Sequence, residues 1–363
     1  MSWSDILLPP AVREQLAGLA AGAERNRTLL LSGPPGVGKT TSALALGLAL
    51  NCRQPPAPGD FCGACLSCRE FAGWDAVQAQ LEQALSYRQE QVRTRAKEAA
   101  PLQVRLHPQI LYFPPDGDFL SMAQAREIAR LAYLRPDPGR HWMLIVPGFD
   151  QARWMVQNAL LKLLEEPPPD ATLALLAVQP AELLPTVRSR CLAIPLPPQP
   201  EPVMAEWLAT RRPEVRADDR HMLLRLAQGA PGRALSLDLA DWRARRQTLF
   251  QLLQATLMTS HYDRLFPLTE NLRLSKEEIE ITAEILYSVL QDLLYLKSGR
   301  SSAIQNSDSR ERLSGWAREI SWEQLELAVE QLDRLLRGLR RNLHRTLAWD
   351  AWALRVRMAA AGA

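Results

Sequence analysis

Apolar and polar positions divide the chain into two kinds of territory. Up to about Pro197, short apolar runs alternate with helix-length stretches. Leu29–Leu31, His107–Phe113, Trp142–Val146, Thr172–Val178 and Cys191–Leu196 read as strands, and Ser121–Leu134 and Ala152–Leu164 as helices. A strand buried on both faces shows a continuous apolar run rather than an alternation, and strands separated by helices build a parallel sheet. Ahead of the first run, Trp3–Ala21 reads as a lead-in and a helix, with Ile6, Leu7, Val12, Leu16 and Leu19 at helical spacing. Beyond the Pro-rich segment at 195–200 the pattern is helical throughout. Glu201–Thr210, Asp219–Gln228 and Arg233–Leu239 are short, whereas Trp242–Met258, Lys276–Lys297, Trp322–Leu339 and Asn342–Met358 are long. In the third of these, Leu325, Val329, Leu332, Leu335, Leu336 and Leu339 form one stripe, the core face of a bundle. Ser321 with Gln324 gives it a capping-box start. The Ser-rich Gly299–Ser309 reads as a disordered loop.

The first apolar run introduces the chemistry. Leu29–Leu31 leads into Gly33–Thr40, which fits G-x-x-x-x-G-K-[ST], and Thr41–Leu50 continues as an Ala/Leu-rich helix. That is the strand, loop, helix context of a phosphate-binding loop, and a fortuitous Gly-rich turn would not carry every fixed position within it. Gly33, Gly36 and Gly38, interleaved with Pro34, Pro35 and Val37, let the backbone turn tightly and present N–H groups beside a helix N-terminus, a cradle for a triphosphate. Lys39 is placed to reach the β- and γ-phosphates and Thr40 to hold Mg²⁺, with Thr41 adjoining them. ATP or ADP is the expected ligand.

Cys52, Cys62, Cys65 and Cys68 follow in a Pro- and Gly-rich stretch with the spacing C-x9-C-x2-C-x2-C. Each Cys-x-x-Cys bite holds two thiolates on a tight turn, so four suit a tetrahedral Zn²⁺. The alternative is buried free or redox thiols, but these surroundings offer little core to bury them in. No acid or open coordination position accompanies the four, so the site reads as structural. Residues 70–105 are charged and Gln/Ala/Glu-rich, and Val77, Leu81, Leu85 and Val92 predict a solvent-washed helix or hairpin, an insertion.

Composition sets the bounds. At 363 residues two or three domains are expected, and 47% hydrophobic content is ample for their cores. A net charge of +3 is too small to imply nucleic-acid binding by itself. The arginines of 243–246 and 337–345 read as solvated helix faces rather than DNA contacts. No apolar run approaches the roughly 18 residues of a membrane span, and MSWSDILLPP is not a signal peptide. A cytoplasmic protein is expected, consistent with clustered, metal-type cysteines.

Taken together, the phosphate loop, the four-cysteine module, His107-Pro108-Gln109, the NALLKLLEEPP run from Asn158 and the triplet Ser189-Arg190-Cys191 closely resemble bacterial DNA polymerase III clamp-loader subunits of the AAA+ class. The resemblance covers nearly the whole chain, including its last helix. It implies a RecA-like α/β AAA+ domain at 1–197 with a zinc module (51–69) and helical insertion (70–105), a helical lid at 198–240 and an α-helical collar at 241–363. An ATPase of this class ends its second core strand in Asp-Glu, which serves Mg²⁺ and the attacking water. Here those positions are Pro147 and Gly148. Asp150, just beyond, reads as a helix N-cap.

The resemblance is therefore to the delta-prime type rather than the gamma/tau motor, with nucleotide bound but hydrolysed little or not at all. It implies that Arg190 is an arginine finger acting on a neighbour's ATP and that Arg233 is a nucleotide-sensing residue of the lid. Val178 and Gln179 replace the small polar sensor usual in the motor. The implied assembly is a heteropentamer with gamma/tau and delta subunits that loads a sliding clamp onto primer-template DNA, with no membrane partner. Two other readings stand beside this one: an active gamma/tau-type ATPase, and a non-replicative AAA+ module using nucleotide as a structural ligand.

Overall fold

The strand Thr28–Ser32 (β1) sits where a continuous apolar run belongs, inside a sheet covered on both faces. The computed structural model describes residues 2–22, 27–71, 73–93, 100–117, 119–258, 265–270, 276–300, 304–339 and 345–361. Five further strands complete the sheet: Val104–His107 (β2), Ile110–Tyr112 (β3), Trp142–Val146 (β4), Ala171–Ala177 (β5) and Leu192–Pro195 (β6). Their order is β2-β3-β4-β5-β1-β6, parallel except for β2 against β3. The expected single strand His107–Phe113 is thus a hairpin edge: the chain reverses between His107 and Ile110, where Pro108 carries no N–H for a ladder.

The helix Lys39–Asn51 leaves the carboxyl end of β1 and is buried from Ser42 to Asn51. It is apolar on every side because every side is covered. Gly47 lets it approach the sheet: a Cβ there would lie 2.9 Å from Ile110 Cδ1. At its far end Asn51 Nδ2 donates to the His141 carbonyl while His141 N donates to Asn51 Oδ1, both at 2.9 Å, tying the helix to the start of β4. The lead-in departs from its expected form. Pro9 and Pro10 start the helix at Pro10–Ala21, so Ile6 and Leu7 lie in the segment ahead of it, after a short 3₁₀ turn at Trp3–Asp5. The insertion is a single described helix, Trp74–Arg93, whose Val77 and Leu81 pack on the core; the Val92 side chain and residues 94–99 lie outside the described residues.

Two compact units emerge: Met1–Pro213 with Ala227–Leu235, and Glu214–Leu226 with Ser236–Ala363. In the second, Leu239–Leu257, Lys276–Lys297, Arg310–Glu319, Trp322–Leu339 and Arg345–Ala361 bury Leu249, Leu290, Leu325, Leu332, Trp349 and Trp352. The capping box at Ser321 is formed in both directions, at 2.8 and 3.2 Å. The Leu339 side chain and residues 340–344 are outside the described residues.

Two expectations fail in this unit for one reason. Arg246 is buried rather than solvated, ion-paired to Asp308 and stacked over Trp242. The expected disordered loop is packed over 304–309, where fully buried Asn306 donates through its backbone and side chain to Asp292, each at 2.7 Å. A polar stretch is ordered when the bundle supplies partners for its buried groups; residues 301–303 lie outside the described residues.

Candidate functional site

At the carboxyl end of β1, the Gly33–Lys39 loop opens into a cavity of about 850 Å³ within the first unit. Positive φ at Gly33 (151°), Gly36 (75°) and Gly38 (103°) explains why glycine recurs there. Lys39 Nζ donates to the Gly33 and Pro34 carbonyls at 2.6 and 2.8 Å. Burial lowers its pKa below that of a free lysine, and Asp150 opposes the shift. Burial pushes the Tyr112 hydroxyl up to about 12, with Thr40 opposing the shift. A lysine and the positive end of a helix at one mouth are suited to an anion.

The lid backbone docks directly on this loop. Gly232 N donates to the Gly36 carbonyl at 2.8 Å, and a Cβ on Gly36 would lie 2.8 Å from both N and Cγ of Arg233. Arg233, expected from the resemblance to sense nucleotide, thus lies against this loop. Other cavity walls were not legible in the sequence: Asp5–Leu7 from the lead-in, Trp207 and Arg211 from the helix Glu201–Arg211, and Phe61, Phe71 and Trp74 from the cysteine-rich side. They come from three separate stretches with no shared motif.

Pro147 and Gly148 follow β4 directly, so no carboxylate stands at the end of that strand. Gly148, in the left-handed region, caps the 3₁₀ turn Phe149–Gln151, and Asp150 is not its N-cap. Instead Asp150 Oδ2 accepts from the N–H groups of Val178 and Gln179, at 2.9 and 2.8 Å, beyond the end of β5. Its Oδ1 is buried without a hydrogen bond. Arg190, just past the short helix Pro185–Arg188, is half-exposed and paired to Glu165 at 2.7 Å. An exposed pair of this kind is worth about 0–1 kcal/mol, and the guanidinium also donates to the Thr186 carbonyl at 3.0 Å.

Cys52, Cys62, Cys65 and Cys68 converge with their Sγ atoms within 4.8 Å of one another. The Cys52 Sγ lies 3.7 Å from that of Cys62 and 4.0 Å from that of Cys65. A tetrahedron of thiolates about 2.3 Å from a zinc ion has edges of about 3.8 Å, so the four can hold a metal. Backbone N–H groups of Ala64 and Cys65 donate to the Cys62 sulfur at 3.4 and 3.2 Å, made possible by Gly63 at φ 65°. Burial opposes ionisation of Cys65, but N–H groups of Cys68 and Arg53 and neighbouring thiols outweigh it and bring Cys65 to about 6; burial raises Cys68. Cys191 stands apart, its thiol raised to about 12 by burial.

A buried polar cluster fastens this module to the sheet. Arg140 bonds Ser67 Oγ and pairs with Glu70 at 2.7 Å, and His107 Nδ1 accepts from Gln109 N at 3.1 Å, leaving Nε2–H to donate to the Ser67 carbonyl at 3.2 Å. Burial first and the Arg140 charge second lower the His107 pKa from 6.5 to about 4, against the pull of Glu70. The unfolded chain therefore binds more protons between those values, so this stabilisation is complete above pH 6.5 and lost as pH falls towards 4. By pH 5 wild type is expected to lose about 2 kcal/mol more than His107→Asn, measured by urea unfolding of both at each pH.

A mostly parallel α/β sheet, a Gly-Lys loop after its β1 strand, a lid docked on that loop and helices beyond give the chain an AAA+-like fold. The family model described as "DNA polymerase III, delta subunit" matches residues 71–200. The chain is 31% identical to DNA polymerase III subunit delta-prime of Pseudomonas aeruginosa over 223 residues, 61% of this chain but 57% of that protein. To the delta-prime subunit of Escherichia coli it is 27% identical over 329 residues, 90% of this chain and 86% of the relative. Its fold is also that of a gamma subunit-related protein from Thermotoga maritima, at a TM-score of 0.53 and 16% identity, covering 96% of this chain and 99% of that one. The chain is thus similar to DNA polymerase III delta-prime subunits over much of its length and shares its fold with a gamma subunit-related protein, while spanning little more than half of the first of these relatives. No described helix is long and apolar enough to cross a membrane.

Proposed function

We propose that the chain is a delta-prime-type member of a cytoplasmic clamp loader that binds ATP or ADP at Gly33–Thr41 and Arg233 yet hydrolyses it little. In this reading it assembles with gamma/tau and delta subunits in a heteropentamer, donates Arg190 to a neighbour's ATP, and helps place a sliding clamp on primer-template DNA. Zn²⁺ on the four cysteines is structural. The observation that carries the reading is the end of β4: Pro147 and Gly148 can neither hold Mg²⁺ nor polarise water. The weak surface tether of Arg190 to Glu165 is compatible with a finger that must reach outward.

One observation favours the runner-up, an active ATPase. Asp150 has a buried carboxylate oxygen without a hydrogen bond and acts electrostatically on Lys39. Steady-state ATPase assays decide between them. The delta-prime reading expects no turnover by the chain alone, and a fall of about 10³-fold in the reconstituted assembly's turnover with Arg190→Ala while assembly persists. Turnover by the isolated chain that Asp150→Asn removes, with Arg190→Ala silent, would replace it by the motor reading.

A further inference from the structure

The geometry points to the cysteine module as a buttress of the nucleotide pocket, so that metal and nucleotide bind cooperatively through the segment Trp3–Leu7. This rests on the nucleotide-binding reading above and adds a coupling that the reading does not contain.

The N-terminal segment is held from two sides. On one side Trp3, buried, donates from Nε1 to the Gly59 carbonyl at 2.8 Å and from its backbone N to Asp60 Oδ1 at 3.1 Å, while its ring meets Phe61 edge-on at 6.0 Å. Asp60 Oδ1 also accepts from Phe61 N at 2.8 Å. These anchors all lie between Cys52 and Cys62, in the stretch the metal closes into a loop. On the other side Arg211 donates to the Asp5 carbonyl at 2.9 Å. Between the two holds, Asp5, Ile6 and Leu7 form a wall of the cavity into which Lys39 and Thr40 open.

The loop that carries Gly59 and Asp60 has exposed flanks at 53–58 and no secondary structure beyond turns. A short metal-closed loop of this kind takes its folding free energy from the ion. Without metal the loop is no longer closed at Cys52 and Cys62, so Gly59 and Asp60 are held only by their packing beside Ala17 and the buried Phe61, and their two hydrogen bonds to Trp3 weaken. The wall at Asp5–Leu7 then loses the hold that Trp3 gives it, while Arg211 and the packing of Ile6 on the core remain. A ligand contacting that wall binds the metal-loaded form more tightly, and by linkage it tightens metal binding by the same factor. Trp3 and Asp60 are thus positioning residues: they touch the wall and the loop, not the ligand.

The test titrates Mg²⁺-ATP calorimetrically into the full chain as zinc-loaded wild type, chelator-stripped wild type, and zinc-loaded Trp3→Ala and Asp60→Ala, with metal content and thermal midpoint recorded for each. The expectation is an affinity loss of roughly tenfold on stripping and at least about fivefold in the two variants, which retain one zinc per chain. Zinc partitioning against a competing chelator should shift by the same factor when ATP saturates. Should stripping unfold the chain, the two zinc-loaded variants decide alone. Unchanged ATP affinity in both variants overturns the coupling. A zinc-loaded wild type that binds no ATP instead sinks the nucleotide reading itself, and the coupling with it.

Discussion

Gly36→Ala is expected to weaken Mg²⁺-ATP binding by at least about a hundredfold and to lower stability by roughly 2–4 kcal/mol. Two costs combine. At φ 75° an L-residue with a Cβ pays about 1–2 kcal/mol. The added Cβ would also meet Arg233 N and Cγ at 2.8 Å, and the first of these is backbone, which has no rotamer to escape into. The lid must then move off the loop, breaking the Gly232 N–H bond to the Gly36 carbonyl and displacing Arg233. Gly18→Ala supplies the contrast: it lies inside the helix Pro10–Ala21 with nothing within 4 Å of its Cβ position, so it should gain about 0.5–1 kcal/mol and leave ATP binding intact. Calorimetric titration and urea unfolding of both variants check this. Wild-type ATP affinity in Gly36→Ala would mean that lid docking does not matter to the pocket.

Cys65→Ser is the second large effect. Wild type should carry one zinc per chain by elemental analysis, and the variant well under half of that. Against the opposing effect of burial, the cluster's hydrogen bonds hold the Cys65 thiol below the ordinary range, so replacing Cys65 removes one ligand of the four. The loss should exceed several kcal/mol, since free energies of zinc binding run to about 10 kcal/mol or more in small metal-folded domains. It should remain local at first, because the sheet's other core, around Leu144, Leu160 and Leu175, does not include the module. Proteolysis is therefore expected within 53–60 before the sheet unfolds. Cys191→Ser, distant from the cluster, should keep its zinc. Full zinc and an unchanged thermal midpoint in Cys65→Ser would sink the metal assignment.

Both effects begin from features that a linear reading finds, and each depends on a contact that it does not. The run Leu29–Leu31, the glycines that follow and Lys39 are contiguous, so the loop and its helix were readable as one unit. The docking of Gly232 on Gly36 joins residues almost two hundred positions apart, and only the resemblance, through Arg233, pointed to that segment; no local pattern in it specifies the backbone contact. Likewise the cysteine spacing predicted a four-thiolate cluster, which the structure brings together. That Trp3 leans on Gly59, or that Arg140 and His107 lock Ser67, followed only from the fold. Asp150 is the sharpest case: its position suited a helix cap, but the strand next door offered two unpaired N–H groups at Val178 and Gln179, and tertiary partners won over a local one.

By itself, then, the sequence determined what short-range physics controls: which runs are buried strands, where glycine permits a tight loop beside Lys39, which cysteines share a bite, and where a Ser–Gln box starts a helix. Tertiary structure decided what depends on neighbours distant in sequence. It made β2 and β3 a hairpin, buried Arg246 and Asn306 in polar contacts, and built a cavity from stretches far apart in the chain. The division has a physical cause. Backbone preference and hydrophobic period are set within a few residues, whereas a buried charge or a cavity wall is specified only by whichever groups the folded chain brings within about 4 Å.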